Sequence, residues 1–130
     1  MLNGARVIIK HTGKVLLIHR RKNGKEYFVL PGGSIKKGET TRVAAIREVK
    51  EETNLDIELD RLLCRRKELV NGKTKIGYYF LAKKFKGKLA LGGPELARQS
   101  KDNIYFLEWH RLSALKDLLL YPENIDRLIK

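Results

Sequence analysis

Gly33-Ser-Ile-Lys-Lys-Gly-Glu39, taken together with Arg47-Glu-Val-Lys-Glu-Glu-Thr-Asn-Leu55, reads as a loop that feeds a helix. Thr40 or Thr41 suits the helix start, Val43, Ile46 and Val49 supply an apolar stripe, and Asn54 is a suitable left-handed stop. Residues three and four apart share a helix face, so Glu48, Glu51 and Glu52 fall within an arc of roughly 100°. Like charges at this spacing cost a helix about 0.2–0.5 kcal/mol per pair, and a surface helix gains nothing by accepting them. A bound cation reverses the sign. Oxygen-only ligands favour a hard ion such as Mg2+ or Mn2+, held beside a substrate that supplies phosphate oxygens of its own.

Outward from that helix, short apolar runs punctuated by turn residues predict strands. Arg6–Lys10 and Lys14–His19, separated by His11-Thr-Gly13, read as a hairpin, and a second turn is expected at Asn23-Gly24. Tyr27–Leu30 is a strand that Pro31-Gly-Gly33 should end. Beyond the helix, Asp56–Cys64 and Thr74–Ala82 are strands joined through a turn at Asn71-Gly72, and Ile104–Trp109 is another. Phe85 to Asn103 reads as a short edge strand followed by a long surface loop, the kind of segment that often carries function. A short helix around Leu112–Leu119 and a second, opened by Pro122 and running to Lys130, close the chain.

The composition sets outer bounds. With 130 residues, 42% of them hydrophobic, the chain has material for one core, so a single domain over residues 1–130 is expected. Met1-Leu-Asn-Gly-Ala-Arg6 lacks the apolar segment of a secretion signal, and no apolar run approaches the ~20 residues needed to cross a bilayer. The expectation is a soluble, cytoplasmic protein with no membrane partner. Cys64 is the only cysteine, which excludes an internal disulfide and a thiolate zinc cluster. Twenty-eight Lys and Arg against 15 Asp and Glu give a net charge of +13, which suits an anionic partner or a merely solvated basic surface.

The pattern Gly33, Glu39, Arg47-Glu48, an aliphatic, Glu51-Glu52 and a turn residue before an aliphatic resembles the Nudix box of the MutT-like hydrolases. One position departs, since Asn54 stands where the family has Gly; Asn is the next best residue for a left-handed helix end, so the turn should survive. The resemblance implies an α/β fold, an α/β/α sandwich around a mixed β-sheet, and a hydrolase that cuts nucleoside diphosphates linked to a further group. It also implies roles. Glu48, Glu51 and Glu52 would ligate Mg2+ (or Mn2+) together with the backbone carbonyl of Gly32. Arg47 would orient a box glutamate, Glu39 would pair with Arg47, and Glu51, Glu52 or a residue outside the helix would take the proton from the attacking water. A rival reading fails at one residue. Gly33 to Thr40 nearly matches the phosphate loop Gly-x4-Gly-Lys-Ser/Thr, but Glu39 occupies the lysine position and would oppose the phosphates.

Substrate contacts are less well marked. Arg20 and Arg21 end a strand and are candidates for phosphate contact, Phe28, Tyr78 and Phe80 are candidates for stacking on a base, and Asn124 lies in a segment resembling the base-reading site of nucleotide-sanitising relatives. Core or solvent placement is the plainer expectation for each. Glu95 in the long loop is a candidate extra ligand or base, Glu108 shares that status, and the scattered His11, His19 and His110 are assigned to no metal. The favoured substrate is a small nucleotide: a (d)NTP, an oxidised nucleotide or a nucleotide sugar. RNA 5′-end pyrophosphate removal and a non-catalytic nucleotide-binding module are the alternatives. Dimers are common among relatives, so a homodimer is an expectation by analogy alone.

Overall fold

Ile9 is where the chain changes sheets. In the computed structural model, which describes residues 3–92, 99, 100 and 102–129, β1 (Gly4–Ile8) belongs to one sheet while β2 (Lys10–His11) and β3 (Lys14–Lys22) belong to another. The expected hairpin is therefore only its tip: Lys10 pairs with Val15 and His11 with Lys14, whereas β1 turns away to pair with β5 (Gly32–Ser34) and β7 (Lys73–Lys86). The Leu16 N–H still donates to the Ile9 carbonyl at 3.0 Å, so the two sheets meet at this residue.

The first sheet runs β5-β1-β7-β6, with β1 parallel to β7 and antiparallel to β5, and β6 (Asp56–Val70) along the far side of β7. The second runs β2-β3-β4-β9, with β8 (Asn103–Arg111) on β3; β4 (Lys25–Val29) is antiparallel to β3 and parallel to β9 (Leu120–Tyr121). The expected mixed sheet is thus two curved mixed sheets. Both predicted Asn-Gly turns are present, with positive φ at Asn23, Gly24, Asn71 and Gly72, as a two-residue hairpin connection requires. Pro31-Gly-Gly33 ends β4 as expected, but the glycines at once begin β5, because Gly32 and Gly33 pair with Arg6 and Ala5. The strand after the helix is longer than its apolar run, and no separate edge strand follows β7 among the described residues.

Alternation along β1 and β3 divides the core. Ala5, Val7, Ile9 and Leu16 pack with Ala44, Ala45 and Val49 of α1 (Thr41–Thr53), while Ile8, Val15 and Leu17 pack with Leu115, Ile125 and Ile129 near the end of the chain. Helical layers on the two sides give the sandwich. The buried stripe of α1 differs from the expected one: Val43 and Ile46 are 52% and 41% exposed, and Ala44, Ala45, Val49, Glu52 and Thr53 face inward. The two alanines let the helix approach the sheet closely, and this turns the larger Val43 and Ile46 outward. The final elements are also shorter than expected. Leu112–Asp117 is a 3-10 turn, and Asn124, at φ 65°, delays the last helix, α2, to Asp126–Ile129. No helix among the described residues is long and apolar enough to cross a membrane.

Candidate active site

Thr40 caps α1 through its side chain, which accepts from the Val43 N–H at 3.1 Å, and Asn54 closes it at φ 66° with its N–H donating to the Lys50 carbonyl. The Asn54 side chain adds a tie, donating to the Lys88 carbonyl at 2.9 Å. These fixed ends set the rotation of the helix. At roughly 100° per residue, Glu51, Glu48 and Glu52 step from the rim of the buried arc to its middle. Exposure follows that order: Glu51 and Glu48 are half-buried, and Glu52 is 4% exposed.

Two of the carboxylates, Glu52 and Glu48, meet the strand that the glycines build. Glu52 Oε1 accepts the Gly32 N–H at 2.7 Å, which anchors the helix to β5. Gly32 has φ 141°, and a Cβ there would collide with the Ala5 carbonyl, so only glycine fits. A Cβ on Gly33 would lie 2.5 Å from Glu48 Oε2, so the absent side chain is the space that the Glu48 carboxylate fills.

Arg47 joins the acids. Its Nε and Nη2 bind Glu39 at 2.6 and 2.9 Å, its Nη1 binds Glu48 Oε1 at 2.9 Å and Glu51 Oε2 at 3.2 Å, and Nη2 also donates to the Ser34 carbonyl at 3.0 Å. Only a guanidinium, planar and with five N–H donors, can serve this many partners at once. Glu39 also accepts the Lys36 N–H at 2.8 Å. The Arg47 hydrogen bonds, and then this backbone bond, bring the Glu39 carboxyl down to about 2. The arginine in turn is held more firmly protonated, first by Glu39 and also by Glu48, against the opposing effect of burial.

Arg47 takes one oxygen each from Glu48 and Glu51, which leaves Glu48 Oε2 and Glu51 Oε1 for another partner. The donors are all carboxylate oxygens gathered around one strand end, a set that fits a hard divalent cation. Each carboxylate is engaged by an N–H donor, however, and among the described residues no three His, Cys, Asp or Glu side chains already stand as a metal cage. The Gly32 carbonyl, the expected fourth donor, accepts from Arg6 Nη1 at 3.2 Å.

Arg6 leads to the second feature, a cleft of 840 Å³ that Arg6 and Arg20 help to line, with Lys22, Lys25 and Lys75 as further cations and Glu68 as the lone acid among the described residues. Arg6 Nη1 also binds the Leu30 carbonyl at 3.0 Å. One residue, Gly32, therefore bonds the cleft wall through its oxygen and the acidic helix through its nitrogen. Arg6, Lys75 and Glu68 are absent from the sequence-derived candidates. Arg6 had a signal: a charge between Ala5 and Val7 in a strand buried on both sides.

The other candidates scatter. Arg20 lines the cleft, its guanidinium 4.2 Å from the Tyr105 ring centre and 5.5 Å from that of Tyr27, with Nη2 on Asn103. Arg21 is exposed and pairs with Glu26. Phe28 stacks on His19 at 4.4 Å and packs against the core, Phe80 is buried, and Tyr78 packs against the α1 side of the core. Asn124 is exposed on its turn, although its neighbours Tyr121 and Pro122 line the cleft. Glu108 is hydrogen-bonded to His19 and His110, and burial, which would raise its carboxyl, is outweighed by these two partners. His11 lies against Phe85 and Trp109. Glu95 lies outside the described residues; the described chain before it is docked on α1, with the Ala90 N–H on the Thr53 carbonyl and the Gly92 N–H on that of Glu52.

The chain is similar to proteins of one kind. It is 33% identical over 113 residues to an 8-oxo-(d)GTP phosphatase of Mycolicibacterium smegmatis, a match covering 87% of this chain and 32% of that protein. It is 47% identical over 57 residues to an ADP-ribose pyrophosphatase of Methanocaldococcus jannaschii, covering 43% and 34%. The chain thus spans about a third of the length of these curated relatives. Among solved structures, a MutT NUDIX hydrolase from Burkholderia pseudomallei superposes with a TM-score of 0.74 at 28% identity, over 98% of this chain and 94% of that one. The E. coli ORF135 protein has the same fold, with a TM-score of 0.75 at 22% identity over 98% and 86%. The NUDIX domain model matches residues 2–129, and the chain belongs to the NUDIX domain family.

Proposed function

We propose that this chain is a divalent-metal-dependent pyrophosphohydrolase that cuts the diphosphate linkage of a small nucleoside diphosphate derivative, with Mg2+ as the metal and Mn2+ as a substitute. The observation that carries this reading is the Arg47 hub, which holds Glu39, Glu48 and Glu51 beside the strand that Glu52 grips. Three acids and one guanidinium on a helix anchored at both ends keep the donors beside one strand end, where an arriving cation and phosphate chain would draw the carboxylates together. The family generally uses divalent metals, and the relatives' names concern nucleotides.

Glu48, Glu51 and Glu52 would hold the metal, with Glu48 Oε2 and Glu51 Oε1 as the oxygens that Arg47 leaves available. When bound, a divalent ion withdraws charge from phosphorus and lowers the pKa of a coordinated water. Arg47 keeps the carboxylates of Glu48 and Glu51 oriented, and Glu39, ionised down to about pH 2, keeps Arg47 in place. Glu51 is the most exposed of the three and meets solvent, so it is our choice for accepting the proton of the attacking water; Glu52 is fixed on Gly32 and serves as anchor.

A panel of ADP-ribose, 8-oxo-dGTP, dNTPs and 5′-triphosphate RNA, assayed with Mg2+ and with chelator, tests the reading. Release of a nucleoside monophosphate that stops on chelation is the expected result. Metal-dependent turnover of the RNA alone would favour the end-processing alternative, which the +13 charge supports, and no turnover at all would favour a binding module.

A further inference from the structure

A second pocket opens where the first sheet loses a strand. β1 pairs with β7 only as far as Ile8 and Leu81 and then crosses to the second sheet, so β7 runs on from Ala82 to Lys86 with β6 alone beside it. Residues of β2 and β8, in the second sheet, complete the wall of a pocket of 520 Å³. That volume lies within the range of small-ligand sites. The pocket shares no described lining residue with the basic cleft, and none of Glu39, Arg47, Glu48, Glu51 and Glu52 lines it.

Three rings meet in it, one from each strand. His11 of β2, Phe85 of β7 and Trp109 of β8 stand 5.4, 5.5 and 6.0 Å apart, centre to centre. His11 is exposed and the other two are half-buried, so the cluster is not sealed into the core. Lys10, Lys83 and Lys84 also line the pocket, all of them exposed, and no carboxylate does among the described residues. Lys83 and Lys84 share one acid outside the lining, Glu58, at 3.7 and 3.8 Å; all three side chains are more than half exposed, so water screens these pairs. Lys10 forms no ion pair among the described residues. The two neighbouring lysines belong to Lys83-Lys84-Phe85-Lys86-Gly87-Lys88, four lysines in six residues, a basic run that the acidic helix does not engage.

We propose that this pocket is a second, non-catalytic site for a mononucleotide, which lays its base on the three rings and its phosphate against Lys10, Lys83 and Lys84. Aromatic faces accept any base, and ammonium groups on flexible stems serve a phosphate as point charges. A single strand of nucleic acid needs stacking platforms spaced along its backbone. Here the rings lie within 6.0 Å of one another, which serves one base and not a succession of them. The inference stands apart from the hydrolase reading, because neither the metal nor the acidic helix takes part.

Trp109 is the only tryptophan in the chain, so its fluorescence reports on this pocket directly. Titration with AMP and GMP in the presence of chelator, where metal-dependent turnover is blocked, should change that signal saturably with a dissociation constant of about 1 mM or below. Adenosine, which lacks the phosphate, and ribose 5-phosphate, which lacks the base, should each bind at least about fivefold more weakly, and AMP binding should weaken as salt rises. The triple substitution Lys10→Ala, Lys83→Ala, Lys84→Ala should weaken AMP at least about tenfold, whereas Lys22→Ala, Lys25→Ala in the basic cleft should leave its affinity unchanged. All five side chains are exposed, so neither set disturbs the core. No saturable change up to about 10 mM, or one that survives the triple substitution, overturns the inference. A change abolished by the cleft substitutions instead also overturns it, because the nucleotide would then sit in the cleft. Binding of oligo(A) that strengthens with each added nucleotide while AMP stays inert would assign the pocket to a strand and overturn the mononucleotide class.

Discussion

The acidic helix and the basic cleft share Gly32, yet they handle charge in opposite ways. At the helix, each carboxylate has an N–H donor from the protein itself, supplied by Arg47 or by Gly32. In the cleft, the cations have no carboxylate ion pair among the described residues, and the one described acid is engaged by Tyr79 and Arg66. A site that must hold its geometry through a reaction is wired internally, so that its ligands do not have to find their positions each cycle. A site that must select its ligand by charge keeps that charge uncommitted. The contrast separates the two kinds of variant: changes at the helix should act on kcat and stability, and changes in the cleft on KM.

The sharpest way to break this contrast is Glu51→Gln. If Glu51 accepts the water proton, kcat should fall roughly a hundred- to ten-thousand-fold with the melting temperature nearly unchanged, because the amide keeps one oxygen for Arg47. Wild-type turnover in this variant and in Glu52→Gln would end the site assignment. Gly33→Ala comes next. The new methyl would displace the Glu48 carboxylate, so activity should fall at least about tenfold while urea unfolding changes by no more than about 2 kcal/mol.

Arg47→Ala tests the internal wiring as structure. It strips a donor from Glu39, Glu48 and Glu51 together, and a loss of about 1–3 kcal/mol is expected by urea denaturation, discounted for partial solvent exposure. Arg47→Lys should recover only part, since one ammonium cannot reproduce the fork. The Glu39 pair has a pH signature. Its carboxyl is held at about 2, below the ordinary 4.5, so its stabilising effect is complete above about pH 4.5 and is lost as pH falls toward 2. Glu39→Gln should therefore flatten the decline in urea midpoint between pH 4.5 and 2. A decline as steep as that of the wild type would remove the pair from the account. The smallest effect is expected for Asn54→Gly, which keeps the left-handed helix end but loses the bond to Lys88, a change of about 0.5 kcal/mol or less.

What the sequence disclosed follows the range of the interactions. Thr40, Asn54 and the Asn23-Gly24 and Asn71-Gly72 turns are local devices set by a few neighbouring residues, and all are present. The carboxylate arc follows from helical geometry. The Glu39–Arg47 contact came only through the family resemblance, since nothing in a spacing of eight residues brings them together. The inward face of α1 was misread because apolar periodicity weighs Val43 and Ile46 above Ala44 and Ala45, whereas close packing on a sheet favours the smaller pair. The exchange of sheets at Ile9 and the gathering of Arg6, Lys75 and Glu68 depend on pairings between strands far apart in the chain, which no local pattern encodes.

Gly32 contributes only main-chain atoms to the joint. Side chains around the cleft can be exchanged on β3, β4 and β7 without touching it, so the scaffold can be retargeted to new ligands while its cutting end stays in register. Diversification of this domain should therefore accumulate on those three strands and spare a residue that contributes no side chain of its own.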